Sequence, residues 1–115
     1  MMSARTQRIT EVLKRGDQYV QEYSLFCPNL DFTGATIRAH VRTVADGTLL
    51  ASATITKDNL AVGSVSGKIR LDGSVTATLP PRCVMELEAH HPTESWGPFT
   101  PIEIWLEVQA DYTHG

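Results

Sequence analysis

Apolar and polar residues alternate most cleanly over residues 35–42. Ala35, Ile37, Ala39 and Val41 fall on one side, and Thr36, Arg38, His40 and Arg42 on the other. Strand side chains repeat every two residues, so this pattern predicts a strand with one dry and one wet face. Residues 83–90 behave alike, with Cys83, Met85, Leu87 and Ala89 set against Val84, Glu86, Glu88 and His90. Residues 102–110 alternate as clearly: Ile102, Ile104, Leu106, Val108 and Ala110 against Glu103, Trp105, Glu107 and Gln109.

Weaker patterns fill the rest. Residues 6–13 read as an edge strand with Ile9, Val12 and Leu13 as its apolar contacts, followed by a turn at Arg15-Gly16-Asp17. Residues 18–26 form a second strand whose two faces both carry apolar groups, so its dry face stays open. Pro28 lacks a ladder donor and ends that strand within Cys27-Pro28-Asn29-Leu30. Asp46-Gly47 signals a hairpin. Its returning strand, residues 49–56, places Ala51, Ala53 and Ile55 on the dry face. Alanines on both strands call for a bulky cover: Trp96, Trp105 or a tyrosine. Residues 57–66 read as a polar loop, 68–71 as a short strand with Ile69 and Leu71 inward, and 90–98 as a loop. Residues 74–79 read as one helical turn with Ser74 as N-cap, stopped by Pro80-Pro81.

About seven short strands and at most one helical turn predict an all-β fold. The expected architecture is a single antiparallel, immunoglobulin-like β-sandwich over residues 1–115, with a barrel as the main alternative. A chain of 115 residues suits one domain. The formal net charge of -3 gives no reason to expect nucleic acid or an anionic membrane as partner. The basic N-terminus has no apolar run behind it, so no secretory signal is read, and no stretch reaches the roughly 20 apolar residues of a membrane span. A soluble protein made in a cytoplasm is expected. Cys27 and Cys83 are expected as free, partly buried thiols rather than a bridge.

Candidate chemistry is sparse. His90-His91 near Glu86 and Glu88 suggests a metal, but adjacent residues on a strand end point to opposite faces and do not converge on one ion. Cys83 lies on a predicted dry face with no orienting group near in sequence, which suits an inert thiol better than a nucleophile. Glu86, Glu88, Glu103 and Glu107 fall on wet faces, where solvated charge is the default. If their strands are neighbours they need basic partners, and Arg38, Arg42 and Arg70 are at hand. Arg15-Gly16-Asp17 matches an adhesion tripeptide but also ordinary turn composition. No catalytic, cofactor or metal residue is nominated. Trp96, Phe99, Trp105, Glu103 and Glu107 are the candidate protein-interface residues, because exposed aromatics are favoured anchors. Trp96 beside prolines also suits stacking on a sugar, with Phe99 and Tyr23 completing a platform.

The order of segments resembles the small immunoglobulin-like β-sandwich modules of tailed-phage virions, such as the N-terminal domain of baseplate upper proteins. The resemblance rests on Lys14-Arg15-Gly16-Asp17, the segment from Leu30 through Gly34-Ala35-Thr36-Ile37-Arg38-Ala39-His40-Val41-Arg42, Asp46-Gly47, and Gly67-Lys68-Ile69-Arg70-Leu71. It continues through Leu79-Pro80-Pro81, Val84-Met85-Glu86-Leu87-Glu88-Ala89, and the final strand from Ile102 to Asp111. The chain departs from that pattern at Arg82-Cys83, where Gly and Tyr are usual, and in the Pro-rich loop around Trp96. The resemblance implies a non-enzymatic structural role in a virion tail or baseplate, with other virion proteins as partners, homo-oligomerisation and no catalytic residues. The competing expectations are a carbohydrate-binding module for host recognition, a head decoration or neck protein, and a small polysaccharide hydrolase.

Overall fold

The computed structural model describes residues 6–93 and 98–110. Seven strands and one short helix follow in the order β1 (Gln7–Lys14), β2 (Tyr19–Asp31), β3 (Thr36–Thr43), β4 (Leu49–Ser52), β5 (Thr54–Leu71), α1 (Gly73–Thr76), β6 (Arg82–His90) and β7 (Phe99–Gln109). Five strands form one sheet in the order β1-β7-β6-β3-β4, and β2 with β5 forms the second. The all-β sandwich expected from the alternation is therefore present.

The core lies between the sheets. Ala35, Ile37, Ala39 and Val41 from around β3, Cys83, Met85, Leu87 and Ala89 from β6, and Ile102, Ile104, Leu106 and Val108 from β7 are all buried. These are the residues that the alternation assigned to dry faces, except Ala110, which lies past the end of β7 and is exposed. Each large aliphatic among them contributes roughly 1.5–3 kcal/mol by leaving water. The second sheet answers with Tyr23 and Leu25 from β2 and Val65, Ile69 and Leu71 from β5. Thus the dry face of β2 is the Tyr23–Leu25 side, and Phe26 on the other side is 79% exposed. Trp105 sits on the outer face of the five-stranded sheet, so it does not cover the alanines. The core aromatics are Phe32 and Tyr23.

Four local expectations are corrected. β1 is an edge strand as expected, but it pairs with β7 in parallel, not antiparallel, register. Parallel neighbours need a long crossover; nearly the whole domain supplies it. Val12 faces outward and is 52% exposed.

The second correction concerns Pro28. Pairing of β2 with β5 is interrupted between Phe26 and Asp31 and then resumes. Pro28 sits in that irregular stretch, where no ladder donor is required, so the strand continues past it.

The third is the polar loop, which does not exist. Residues 57–66 belong to β5. Eighteen residues in line would span about 60 Å at the usual strand rise, more than the 51 Å length of the molecule. Yet Thr56 Oγ1 lies 3.5 Å from the Lys68 carbonyl oxygen, to which it donates. β5 therefore doubles back on itself near Gly63, whose φ of 86° suits a tight reversal. Its first arm, lying beside the second, carries Lys57, Asp58 and Asn59 exposed to solvent. The fourth is the helix cap: Asp72, not Ser74, is the N-cap, and its backbone carbonyl accepts from Val75 and Thr76.

Two further devices tie the sheets together. The Ala53 N–H donates to the Ala39 carbonyl at 2.9 Å before the chain leaves the first sheet and becomes β5. At the other end, Thr76 is fully buried under the Arg15-Gly16-Asp17 turn. Its hydroxyl donates to the Asp17 carbonyl at 2.8 Å and accepts from the Gly16 N–H at 3.0 Å. Arg15 donates to the Leu79 carbonyl at 3.1 Å. The tripeptide is thus a turn bound to α1 and the segment after it.

Candidate functional site

The outer face of the five-stranded sheet collects most of the charged residues that the sequence singled out. Alternation along β7 turns Glu103, Trp105 and Glu107 outward, and β6 turns out Arg82, Val84, Glu86 and Glu88. The ladder then sets these side chains in rows. Arg8, Glu103, Glu86 and His40 stand in one row across four strands. Thr10, Trp105, Val84 and Arg42 make the next, and Val12, Glu107 and Arg82 the third.

Such a register crowds like charges, because Glu86 and Glu103 are direct cross-strand neighbours. Directly opposed carboxylates repel. The face resolves this with arginines. Arg8 Nε lies 3.5 Å from Glu103, and Arg42 Nε lies 3.3 Å from Glu86. Arg38 pairs with Glu88. Two of the three partners expected from the sequence, Arg38 and Arg42, take this role. Arg70 does not: it pairs with Asp72 on the other sheet at 3.3 Å. Arg8 replaces it, a partner the sequence reading missed because only the parallel β1–β7 register brings residue 8 beside residue 103. All these groups are partly exposed, so each pair contributes about 1 kcal/mol or less.

Trp105 is the fixed point of the face. The Arg8 guanidinium stands 4.4 Å from the centre of its ring, a cation–π contact. Its indole Nε1–H donates to Glu103 Oε1 at 3.4 Å. Arg8 and Glu103 thus hold the indole from two sides.

The other nominated residues lie elsewhere. Phe99 begins β7, far along the strand from Trp105, and is half-buried against the core. Trp96 lies outside the described residues. Tyr23 is buried, and its hydroxyl crosses Gly67 to donate to the Thr56 carbonyl at 3.2 Å. Burial first, and then the Asp58 carboxylate, push its phenol up to about 12. The aromatic platform of the sugar-binding expectation therefore does not include Tyr23.

His90 and His91 part company as their spacing implies. His90 stands opposite Thr36 in the ladder. His91 is buried; its Nε2 lies 2.8 Å from the Thr33 carbonyl oxygen, and its Nδ1 accepts from the Thr93 N–H at 3.2 Å. With the Thr93 N–H on Nδ1, it is the Nε2–H that donates to the Thr33 carbonyl. His91 and Asp31 together clamp the turn before β3, since Asp31 Oδ1 accepts from the Thr33 N–H at 2.9 Å. This bond, with a second from the Thr33 side chain, holds the Asp31 carboxyl below the usual carboxylate range.

Cys83 is fully buried and Cys27 half-buried, both as free thiols. Burial pushes the Cys83 thiol up to about 11 and also raises Cys27. A thiol shifted this way resists becoming the nucleophilic thiolate. Among the described residues no group of three or more His, Cys, Asp or Glu is arranged to hold a metal ion.

The chain matches no protein-family model, and no curated protein matches it.

Proposed function

We propose that the chain is a non-catalytic structural module of a tailed-phage virion, placed in the tail or baseplate, where it binds other virion proteins. One observation carries the reading. The three longest segments of the family resemblance, 30–42, 84–89 and 102–111, supply the adjacent strands β3, β6 and β7. Those strands are the centre of the five-stranded sheet and build its arginine-laced outer face. These segments are therefore neighbours in one sheet, with alternate residues in the core and on its outer face.

The chemistry of that surface suits a protein contact. Its Glu86, Glu88 and Glu103 carboxylates are paired with arginines, and a fixed indole stands among them. Arg and Trp are the residue types most often found as interface anchors. Synthesis in the host cytoplasm and residence in the virion follow from this role.

Immunogold electron microscopy of phage particles from the source, with an antibody to this chain, tests the reading. Gold at the tail tip or baseplate is the expected result. Gold on the head would replace the tail assignment by capsid decoration or a neck role. Virions without gold, from a lysate that contains the protein, would refute the structural role.

A further inference from the structure

Three of the four outward carboxylates on β6 and β7 have an arginine partner. Glu107 does not. It stands opposite Arg82 in the ladder, yet among the described residues neither group takes part in an ion pair. Both are exposed. Apolar side chains flank this unpaired couple. Val12, its row neighbour on β1, is 52% exposed, and Val44, after β3, is 44% exposed. Thr10, Val44, Arg82, Trp105 and Glu107 line one shallow depression.

We propose that this end of the outer face is a two-fold contact between two copies of the chain. Arg82 of each copy pairs with Glu107 of the other, and Val12, Val44 and Trp105 form the apolar part of the seam. A two-fold contact sets a patch against itself, so the patch must be self-complementary. One unpaired cation beside one unpaired anion, on neighbouring strands, meets that requirement. Rotation by 180° brings each charge over its opposite.

The same couple gains little within a single copy, where water screens it and holding two long side chains costs entropy. Between copies, each charge meets its partner with water excluded by the valines. Trp105 adds to this without a large ordering cost, because Arg8 and Glu103 already hold the ring. The β1 edge offers a poorer contact. Glu11 occupies a core-side position of β1 between Ile9 and Leu13, and an inward charge on an edge strand discourages strand addition.

Sedimentation equilibrium over a concentration series tests the contact on the intact chain. The wild-type protein should associate to a dimer. Arg82→Glu and Glu107→Arg should each weaken self-association by roughly tenfold or more, since like charges then face each other. An equimolar mixture of the two variants should recover the dimer, because every facing pair is again opposite in sign. Circular dichroism melts close to wild type verify that both exposed substitutions leave the fold intact. Three results would each overturn the contact: a wild-type chain that stays monomeric throughout, single variants that dimerise as before, or a mixture that fails to recover association. The contact depends on this face alone and not on the virion setting. A missing dimer leaves the immunogold result standing, and a chain absent from virions leaves the dimer standing.

Discussion

Gly67 sits between two strands with no room for a side chain. It pairs with Tyr23 on β2, and the first arm of β5 lies on its other side. A Cβ added there would come within 1.9 Å of the Thr56 carbonyl oxygen and 2.9 Å of the Tyr23 hydroxyl. The first distance is about 1.5 Å short of ordinary van der Waals contact. The obstacle is backbone, not the end of a flexible side chain, so the two arms of β5 must move apart. Overpacking of this kind costs about 1–3 kcal/mol. The shift also breaks the Tyr23–Thr56 hydrogen bond, which contributes about 1 kcal/mol. Lower entropy of the unfolded alanine chain offsets about 0.5–1 kcal/mol. Gly67→Ala should therefore destabilise by about 2 kcal/mol, lowering the melting temperature by roughly 10 °C. Differential scanning calorimetry reads this directly. Two controls apportion the effect. Tyr23→Phe removes only the hydroxyl and should cost about 1 kcal/mol. Gly16→Ala meets nothing within 4 Å and bears only the strain of its φ of 92°, again about 1 kcal/mol. A Gly67→Ala protein that melts within about 2 °C of wild type would refute the folded-back description of β5.

Further outcomes follow from the buried and hydrogen-bonded groups. Thr76→Val keeps the shape of the side chain but strands the Gly16 N–H and the Asp17 carbonyl, and should cost about 2 kcal/mol in urea unfolding; a loss below about 0.5 kcal/mol would show that the turn does not depend on α1. A thiol reagent at mildly alkaline pH should label Cys27 first and Cys83 only at the rate of unfolding, whereas equal rates in the native protein would contradict the burial of Cys83. The Asp46 carboxylate accepts from the Thr43 hydroxyl, the Thr48 hydroxyl and the Thr48 N–H, which together hold it below the usual carboxylate range. A lowered folded value means stability that is full above the unfolded pKa of about 4 and is lost as pH falls through the folded value. Urea midpoints of wild type should therefore decline in acid more steeply than those of Asp46→Asn, and parallel declines would remove Asp46 from the acid response.

Local chemistry determined much of this protein. The period-two patterns of β3, β6 and β7 named their buried residues correctly, because central strands of a sandwich bury one whole face and the sequence must alternate to supply it. Asp46-Gly47 likewise marked its hairpin, where Gly47 takes a φ of 72°. The outward placement of Glu103, Trp105 and Glu107 followed from the same alternation.

Tertiary structure decided what pairing alone can decide. A strand's pattern says which face is dry but not which strand lies beside it or in which direction. The parallel docking of β1 on β7, and with it the Arg8–Trp105–Glu103 contact, joins residues almost a hundred positions apart and leaves no local trace. The first arm of β5 buries little beyond Ile55 and Leu60, so its exposed polar residues read as a loop although the segment is strand. Pro28 could signal an interruption but not that pairing would resume at Asp31. The choice of Arg8 over Arg70 as a partner for the crowded carboxylates, and the unpaired couple Arg82 and Glu107, emerged only when the register set one row of side chains against the next.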